Sequence, residues 1–554
     1  MNMNKKVFVI GIDSATFDII NPLIKKGALP NLELLIKEGV SGKLKSTIPP
    51  VTPPAWTSFM TGKNPGKHGV FDFYAPPNLG YQRPILNSKF NKAKTIWKIL
   101  SENGKKVGII NMPMTYPPEE VNGFIIPGMQ YGLDTNSGFS YPKELMHELN
   151  KAIGGYKVLY GDMVSLYADI FDNLLKEWRE IVKLREKAIL YLMERYEWDF
   201  FMAVFYSIDV MQHHFWKFYD KSHPLYKHSE YSEIIPEFYK CVDSSVGEIL
   251  RRLDEDTVVM VVSDHGAGPE HKAFYINKWL AKEGFLTFKP KYISLWKFRL
   301  PHIIYKILRR AGVKAIEWTV PISYLPLLWR KIDPREGLRV HELINWNKTK
   351  AYSGNHTEQG IYINLKGREP YGIVESGKEY EEIRNSIIEK LRKVEDPKTG
   401  ERVVSKIYKK EEIYNGPYTY LAPDIFVDMK EGQYLLQKEV YNWGLFNYAD
   451  KSSGTHRMDG IFIMKGANVK RGEGVDNLNI TDIAPTILHV LGVPVPDDMD
   501  GKVLTQLFKE SFQEANPVRY TKIISEYMTD DKGIYSDEED EKMRKMLRDL
   551  GYMG

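Results

Sequence analysis

Along the first half of the chain, short unbroken apolar runs alternate with stretches in which apolar residues recur every three or four positions. The runs VFVIGID at 7–13, KVGIINM at 106–112, FFMAVFYSID at 200–209 and TVVMVVSD at 257–264 lack polar alternation, the pattern of strands buried on both faces of a parallel sheet. Between them, helical spacing runs through Leu32 to Lys37, Ala93 to Glu102, Leu174 to Arg195 and Ile234 to Leu253. This alternation predicts an α/β fold, a mostly parallel central sheet flanked by helices. Three of the four runs end in aspartate, Asp13, Asp209 and Asp264, and open α/β sheets bind ligands beyond the carboxyl ends of their strands. A single aspartate there is an ordinary helix cap; three predict a site.

The alternation stops near residue 285. Residues 285–345 predict a helical basic and aromatic cap inserted into the α/β domain: between Phe288 and Lys331 stand ten Lys or Arg against one acidic residue, Glu317, interleaved with Trp296, Trp318 and Trp329. Solvated lysines on a packed cap account for that pattern, with a face for a membrane surface or polyanion as the alternative. Strand patterns resume at Gly360 to Leu365 and Ala422 to Asp428, and a last pair joins Gly460 to Met464 to a helix over Thr481 to Leu491. The organisation expected is therefore an α/β domain in two parts, 1–284 and 346–510, the cap at 285–345 between them, and a charged tail at 511–554 ending in a solvated helix.

Composition narrows the picture. Of 554 residues, 76 are Lys or Arg and 72 Asp or Glu, and a net charge of +4 gives no reason to expect specific nucleic-acid binding. The single cysteine, Cys241, excludes an intrachain disulfide and a cysteine metal cluster, and reads as a small buried hydrophobe. The opening MNMNKKVFVIGID leads straight into a strand pattern, and no segment approaches 20 apolar residues, so no transmembrane segment and a cytoplasmic location are expected. The first strand runs into GIDSATFD without G-x-G-x-x-G, which argues against a dinucleotide-binding oxidoreductase.

The candidate chemistry clusters at strand ends. Asp209 and His213 are four apart and share one helix face if a helix follows the strand. In VVMVVSDHGAG, Asp264 and His265 close a strand, with Gly266 and Gly268 expected to let the backbone turn sharply. His456 lies in the polar text SSGTHRMDG, where a surface histidine is the plain reading. Together these three carboxylates and three imidazoles suit two borderline divalent cations, Zn²⁺ first and Mn²⁺ second, over Ca²⁺ or an iron–sulfur cluster. Two such ions would clamp the attacking and leaving oxygens of a phosphoryl displacement. The text TPPAWTSFMTGKNPGKHG at 52–69 then reads in two ways. Thr52 is either the N-cap of a helix with proline at its first position, or a nucleophile at a helix mouth that binds anions.

The ordered set GID at 11–13, PNL at 30–32, T-x-P leading to TG-x-x-P-x-x-HG at 61–69, D-x-x-x-H at 209–213, SDHG at 263–266 and GTH at 454–456 resembles the alkaline phosphatase superfamily. Within it the chain looks most like the type I phosphodiesterase and nucleotide pyrophosphatase family. That resemblance implies one metal held by Asp13, Asp264 and His265 that also takes Thr52 as a ligand and activates it, and a second held by Asp209, His213 and His456 that faces the leaving group or the later attacking water. Thr52 would attack phosphorus in a small phosphorylated substrate, form a covalent phosphothreonine, and be released by water. His68 falls on the family pattern as a structural turn residue. The chain departs from the family at Ala55, where phosphodiesterases usually carry an Asn that supports a phosphate oxygen, and at Pro53 and Pro54, which have no N–H. Oxyanion support is then expected from the metals, the Thr52 and Ala55 amides or Asn111, and pocket selectivity from Trp56, Asn111 and the 285–345 cap. The sulfatase pattern C/S-x-P-x-R is absent. A phosphomonoesterase or phosphotransferase (phosphomutase) with the same site, and an inactive binding protein on the same fold, are the alternative readings.

Overall fold

The apolar runs pair as expected in the computed structural model, which describes residues 6–128, 138–158, 171–290, 340–440, 444–448, 452–522 and 535–549. Strands β1 (Val7–Ile12), β2 (Val40–Lys45), β3 (Val107–Met112), β4 (Gly123–Pro127), β5 (Phe200–Phe205) and β6 (Val258–Val262) share one sheet. Its centre is parallel, in the order β6-β1-β5-β3-β4. The strand Asp459–Lys465 runs antiparallel between β6 and β2. Every residue of β1, β3, β5 and β6 is buried, so both faces of each strand had to be apolar and no alternation could appear in the sequence. The helices Pro30–Glu38, Ile96–Glu102, Phe171–Arg195 and Ile234–Leu250 stand where the spacing predicts them, and Ile483–Val490 lies within the last predicted one. Half-buried Cys241 packs against this core.

Register brings the strand ends together. Gly11 of β1 lies opposite Val204 of β5 and Val262 of β6, so the three chains leave the sheet side by side. A Cβ on Gly11 would stand 2.9 Å from a Val204 methyl and 3.0 Å from the Trp56 ring. The glycine of GID is thus room for a tryptophan.

A second sheet has its own core. Its order is Phe446–Tyr448, Lys272–Tyr275, Tyr434–Gln437, Ile425–Met429, Gly360–Ile363 and Ala351–Tyr352, with Val404–Lys409 paired to Ile425–Met429. Sequence analysis located two of these strands but did not separate them from the main sheet, because a short apolar run carries no mark of its partner. Of the predicted cap, residues 291–339 lie outside the described residues; its flanks, Phe285, Leu286 and Ile344, are buried in the second core. The final helix Asp537–Asp549 is docked on one face rather than solvated all round. Met543 and Leu547 are buried, Asp540 Oδ1 accepts from the Ile85 amide at 2.6 Å, and Arg544 donates to the Arg83 carbonyl at 2.7 Å. Among the described residues, no helix is long and apolar enough to cross a membrane.

Candidate active site

The sheet delivers the predicted residues to one place. Asp13 follows β1, Asp264 and His265 follow β6, and the helix Ser207–Tyr219 begins just past β5 with Asp209 in its first turn and His213 one turn on. His456 comes from the strand Gly454–Arg457, antiparallel to Gly266–Pro269, with His456 opposite Ala267. None of the six is a surface group: Asp13, Asp264 and His265 are fully buried, and the His456 side chain is 9% exposed. Gly266 and Gly268 do not make the sharp turn expected of them. They lie in the strand, where a Cβ on Gly266 would strike the Asp459 carbonyl oxygen and one on Gly268 the Arg457 guanidinium.

Two ligand groups result. Donor atoms of Asp13, Asp264 and His265 lie within 4.8 Å of one another, and so do those of Asp209, His213 and His456. His265 Nε2 is 3.2 Å from Asp264 Oδ2 and 3.7 Å from Asp13 Oδ1; His213 and His456 Nε2 are 3.5 and 3.7 Å from Asp209 Oδ1. The groups touch through the His265 and His456 rings, stacked with centroids 3.8 Å apart.

Backbone carbonyls set the histidine tautomers. Nδ1 of His213 is 2.8 Å from Gly454 O, Nδ1 of His456 is 2.9 Å from Pro50 O, and Nδ1 of His265 is 3.1 Å from Gly266 O. A carbonyl only accepts, so each Nδ1 carries the proton and each Nε2 turns a lone pair inward. The Nε2 atoms of His213 and His456 then lie 3.0 Å apart with a lone pair on each, an arrangement that a cation beside them would relieve. The carboxylates show the same division: Trp56 Nε1 donates to Asp13 Oδ2 at 3.1 Å and the Ser14 amide to Asp264 Oδ1 at 3.3 Å. Asp13 Oδ1 and Asp264 Oδ2 are buried without a hydrogen-bond partner. Inward-facing imidazole lone pairs and orphaned carboxylate oxygens fit divalent transition cations.

Electrostatics agree. Burial first, then the Asp264 and Asp209 charges, hold Asp13 well above the usual carboxylate range. Burial pushes Asp264 up to about 6. Burial, then His265 and His213, hold His456 well below an ordinary histidine. Each shift is the cost of crowding like groups away from water, and a divalent cation would reverse it.

Thr52 lies inside the helix and does not cap it. Val51 is the extended residue at the N-cap of Thr52–Thr61, so the prolines occupy the second and third helical positions, one later than expected. The Thr52 hydroxyl, fully buried, stands 3.4 Å from His265 Nε2. The Ala55 amide donates to Val51 O at 3.0 Å, a helical bond that takes it out of the expected oxyanion role. With prolines at 53 and 54, Thr52 supplies the N–H closest to the helix mouth.

Trp56 is buried beside Gly11 and Phe59, its indole N–H turned to Asp13. Asn111 is buried at the end of β3 in the left-handed region (φ 64°), with Nδ2 donating to Val204 O at 2.7 Å. His68 belongs to neither ligand group; it ends the short helix Pro65–His68, where Nδ1 accepts from the Val70 amide at 3.2 Å and Nε2 faces Ser58 Oγ at 3.0 Å. Sequence reasoning missed Ser14, Gln212 and Tyr239, which are buried around the ligand groups. Ser14 and Gln212 each adjoin a flagged residue in sequence, the one signal that could have drawn attention to them.

A solved structure of a known protein shares this architecture. Human ectonucleotide pyrophosphatase / phosphodiesterase 5 is similar in structure, with a TM-score of 0.51 and 13% identity over 91% of this chain and 100% of that one. Phosphonoacetate hydrolase from Sinorhizobium meliloti 1021, solved with phosphonoformate, gives a TM-score of 0.49 and 14% identity over 88% of this chain and 95% of that one. No curated protein sequence matches the chain. The profile of type I phosphodiesterase / nucleotide pyrophosphatase matches residues 7–461. Members of that family use divalent metals and act on small phosphorylated substrates. The chain belongs to the type I phosphodiesterase / nucleotide pyrophosphatase family and is a hydrolase of phosphoric ester or phosphoanhydride bonds.

Proposed function

We propose that the protein cleaves phosphodiester or pyrophosphate bonds of a nucleotide or other phosphorylated metabolite through a phosphothreonine on Thr52. The observation that carries this reading is the Thr52 hydroxyl, buried at the start of its helix, unused in capping and 3.4 Å from His265 Nε2 where the two ligand groups meet. Asp13, Asp264 and His265 would hold one divalent metal and Asp209, His213 and His456 the other, with Zn²⁺ or Mn²⁺ suited to the mixed oxygen and nitrogen donors. When bound, such ions supply the positive charge that lowers the pKa of a hydroxyl and stabilises a leaving oxygen. Thr52 Oγ1 forms the new bond to phosphorus as the bond to the leaving oxygen breaks, and water later cleaves the phosphothreonine. The Thr52 N–H, at the positive end of its helix, would support a phosphate oxygen.

Loss of the Ala55 amide and of an Asn side chain at that position favours a second reading, a phosphomonoesterase or phosphotransferase using the same threonine. One experiment separates them: turnover of a bis-aryl phosphate and of its mono-aryl ester, with Zn²⁺ or Mn²⁺ supplied, by wild type and Thr52→Ala. Diester cleavage lost in Thr52→Ala supports the first reading, and preference for the monoester supports the second. Equal activity in Thr52→Ala rejects both.

A further inference from the structure

Between the two ligand groups runs a buried polar bridge that takes no part in the transfer of the phosphoryl group. Gln212 sits on the helix Ser207–Tyr219 immediately before His213, and is 1% exposed. Its Nε2 donates to Ser14 O at 2.9 Å and Ser14 Oγ at 3.2 Å, and its Oε1 accepts from the Tyr239 hydroxyl at 3.1 Å. A carbonyl oxygen only accepts, so the amide has one orientation. Tyr239 in turn accepts from the Thr16 amide at 3.1 Å, so both ends of the bridge hold the segment after Asp13.

That segment is strained where it matters. Ser14 has φ 63°, in the left-handed region that non-glycine residues disfavour, and it is 1% exposed. In this conformation its N–H donates to Asp264 Oδ1 at 3.3 Å, which leaves Oδ2 facing His265 Nε2 at 3.2 Å. Let Ser14 relax and the amide turns away from Asp264. A residue on the helix of one ligand group therefore sets a carboxylate of the other.

We infer that Gln212 is a positioning residue: by holding Ser14 in its left-handed conformation it orients Asp264, and so sets the metal affinity of the Asp13, Asp264 and His265 group through the backbone between them. The inference rests on the reading of those three residues as ligands of one metal. It predicts an effect across groups, and it predicts a rescue, since glycine adopts positive φ without strain and makes the clamp dispensable.

The test is Zn²⁺ binding alone, by chelator competition on the full chain, with no substrate. In a His456→Ala background, which disables the Asp209 group, adding Gln212→Leu should weaken the remaining site by about 10-fold or more, the usual scale for loss of an outer-shell contact. Ser14→Gly alone should bind as the background does, and Ser14→Gly with Gln212→Leu should recover affinity to within about 3-fold, a factor well inside that loss. Tyr239→Phe, which keeps the packed ring and releases Gln212 Oε1, should weaken the same site by a smaller factor, and serves if Gln212→Leu does not fold. Unchanged affinity in Gln212→Leu, or a loss that Ser14→Gly does not repair, overturns the inference while the metal reading stands. Wild-type protein that binds no Zn²⁺ overturns the metal reading and the inference with it.

Discussion

The Trp56 indole N–H donates to Asp13 Oδ2 at 3.1 Å, with both residues fully buried. Sequence analysis expected Trp56 to contact substrate; its hydrogen bond fixes one carboxylate oxygen and leaves Oδ1 facing the ligand group. Trp56→Phe keeps most of the ring volume and removes the donor. Metal affinity is expected to fall about 10- to 100-fold, the scale of lost outer-shell contacts to a ligand. Chelator competition measures it, and unchanged affinity would show that the indole only fills space beside Gly11.

Each ligand group should answer for one metal. Asp264→Asn and His456→Ala are each expected to lower the metal content from about two ions per chain to about one, because each removes a donor from a different group. Elemental analysis after dialysis decides the point. A content unchanged in either variant removes that group from the account.

Thr52→Ala is expected to lower turnover roughly 10³-fold or more, as loss of a covalent nucleophile does, with metal content within error of wild type. Thr52→Ser keeps the oxygen and should retain measurable turnover. Metal lost along with activity in Thr52→Ala would recast Thr52 as a ligand alone.

The buried ring of His68 makes stability depend on pH. Burial, then Lys63, lowers its pKa to about 3, whereas an unfolded histidine titrates near 6.5. Above about 6.5 neither state is protonated and the contribution is complete. As pH falls below that value the unfolded chain takes up a proton that the folded chain refuses, so stability declines until about 3, where the folded ring also titrates. The slope approaches about 1.4 kcal/mol per pH unit, or about 2 kcal/mol between pH 6.5 and 5. His68→Gln should cost stability at pH 7 yet shrink that difference as pH falls to 5, read from denaturant midpoints. A difference that stays constant with pH assigns the slope to other groups.

In the second sheet, Asp424 is fully buried and accepts from Arg368 at 2.6 and 2.8 Å, Lys410 at 2.8 Å, the Tyr380 hydroxyl at 2.7 Å and the Ile363 amide at 2.7 Å. Arg368 and Lys410 hold its carboxyl below the usual range against the opposing effect of burial. Asp424→Asn leaves buried Lys410 without a carboxylate and Arg368 with Glu369 alone, and should destabilise the fold by about 3–5 kcal/mol, seen as a lower Tm. A Tm within one degree or so of wild type would mean that water reaches these cations.

What the sequence made legible depends on burial. β1, β5 and β6 are covered on both faces, so their apolar runs stood out, and their shared direction placed Asp13, Asp209 and Asp264 at one edge. His456 needed the family resemblance, because its burial depends on a pairing with Gly266–Pro269 that spans nearly two hundred residues. The roles of Trp56, Ser14 and Gln212 lay in hydrogen bonds whose geometry no spacing encodes. The N-cap was misplaced by one residue because Thr and Pro are favoured at either position, while Val51, with no capping side chain, gives no local sign.

The central claim is that Thr52 carries the phosphoryl group. Metal-loaded enzyme turning over a bis-aryl phosphate should be quenched in acid within its first turnover, digested, and its peptides weighed. The account predicts one added phosphoryl group on the peptide containing Thr52, absent from Thr52→Ala. Rapid turnover with no phosphopeptide, or with the phosphate on another residue, would contradict it.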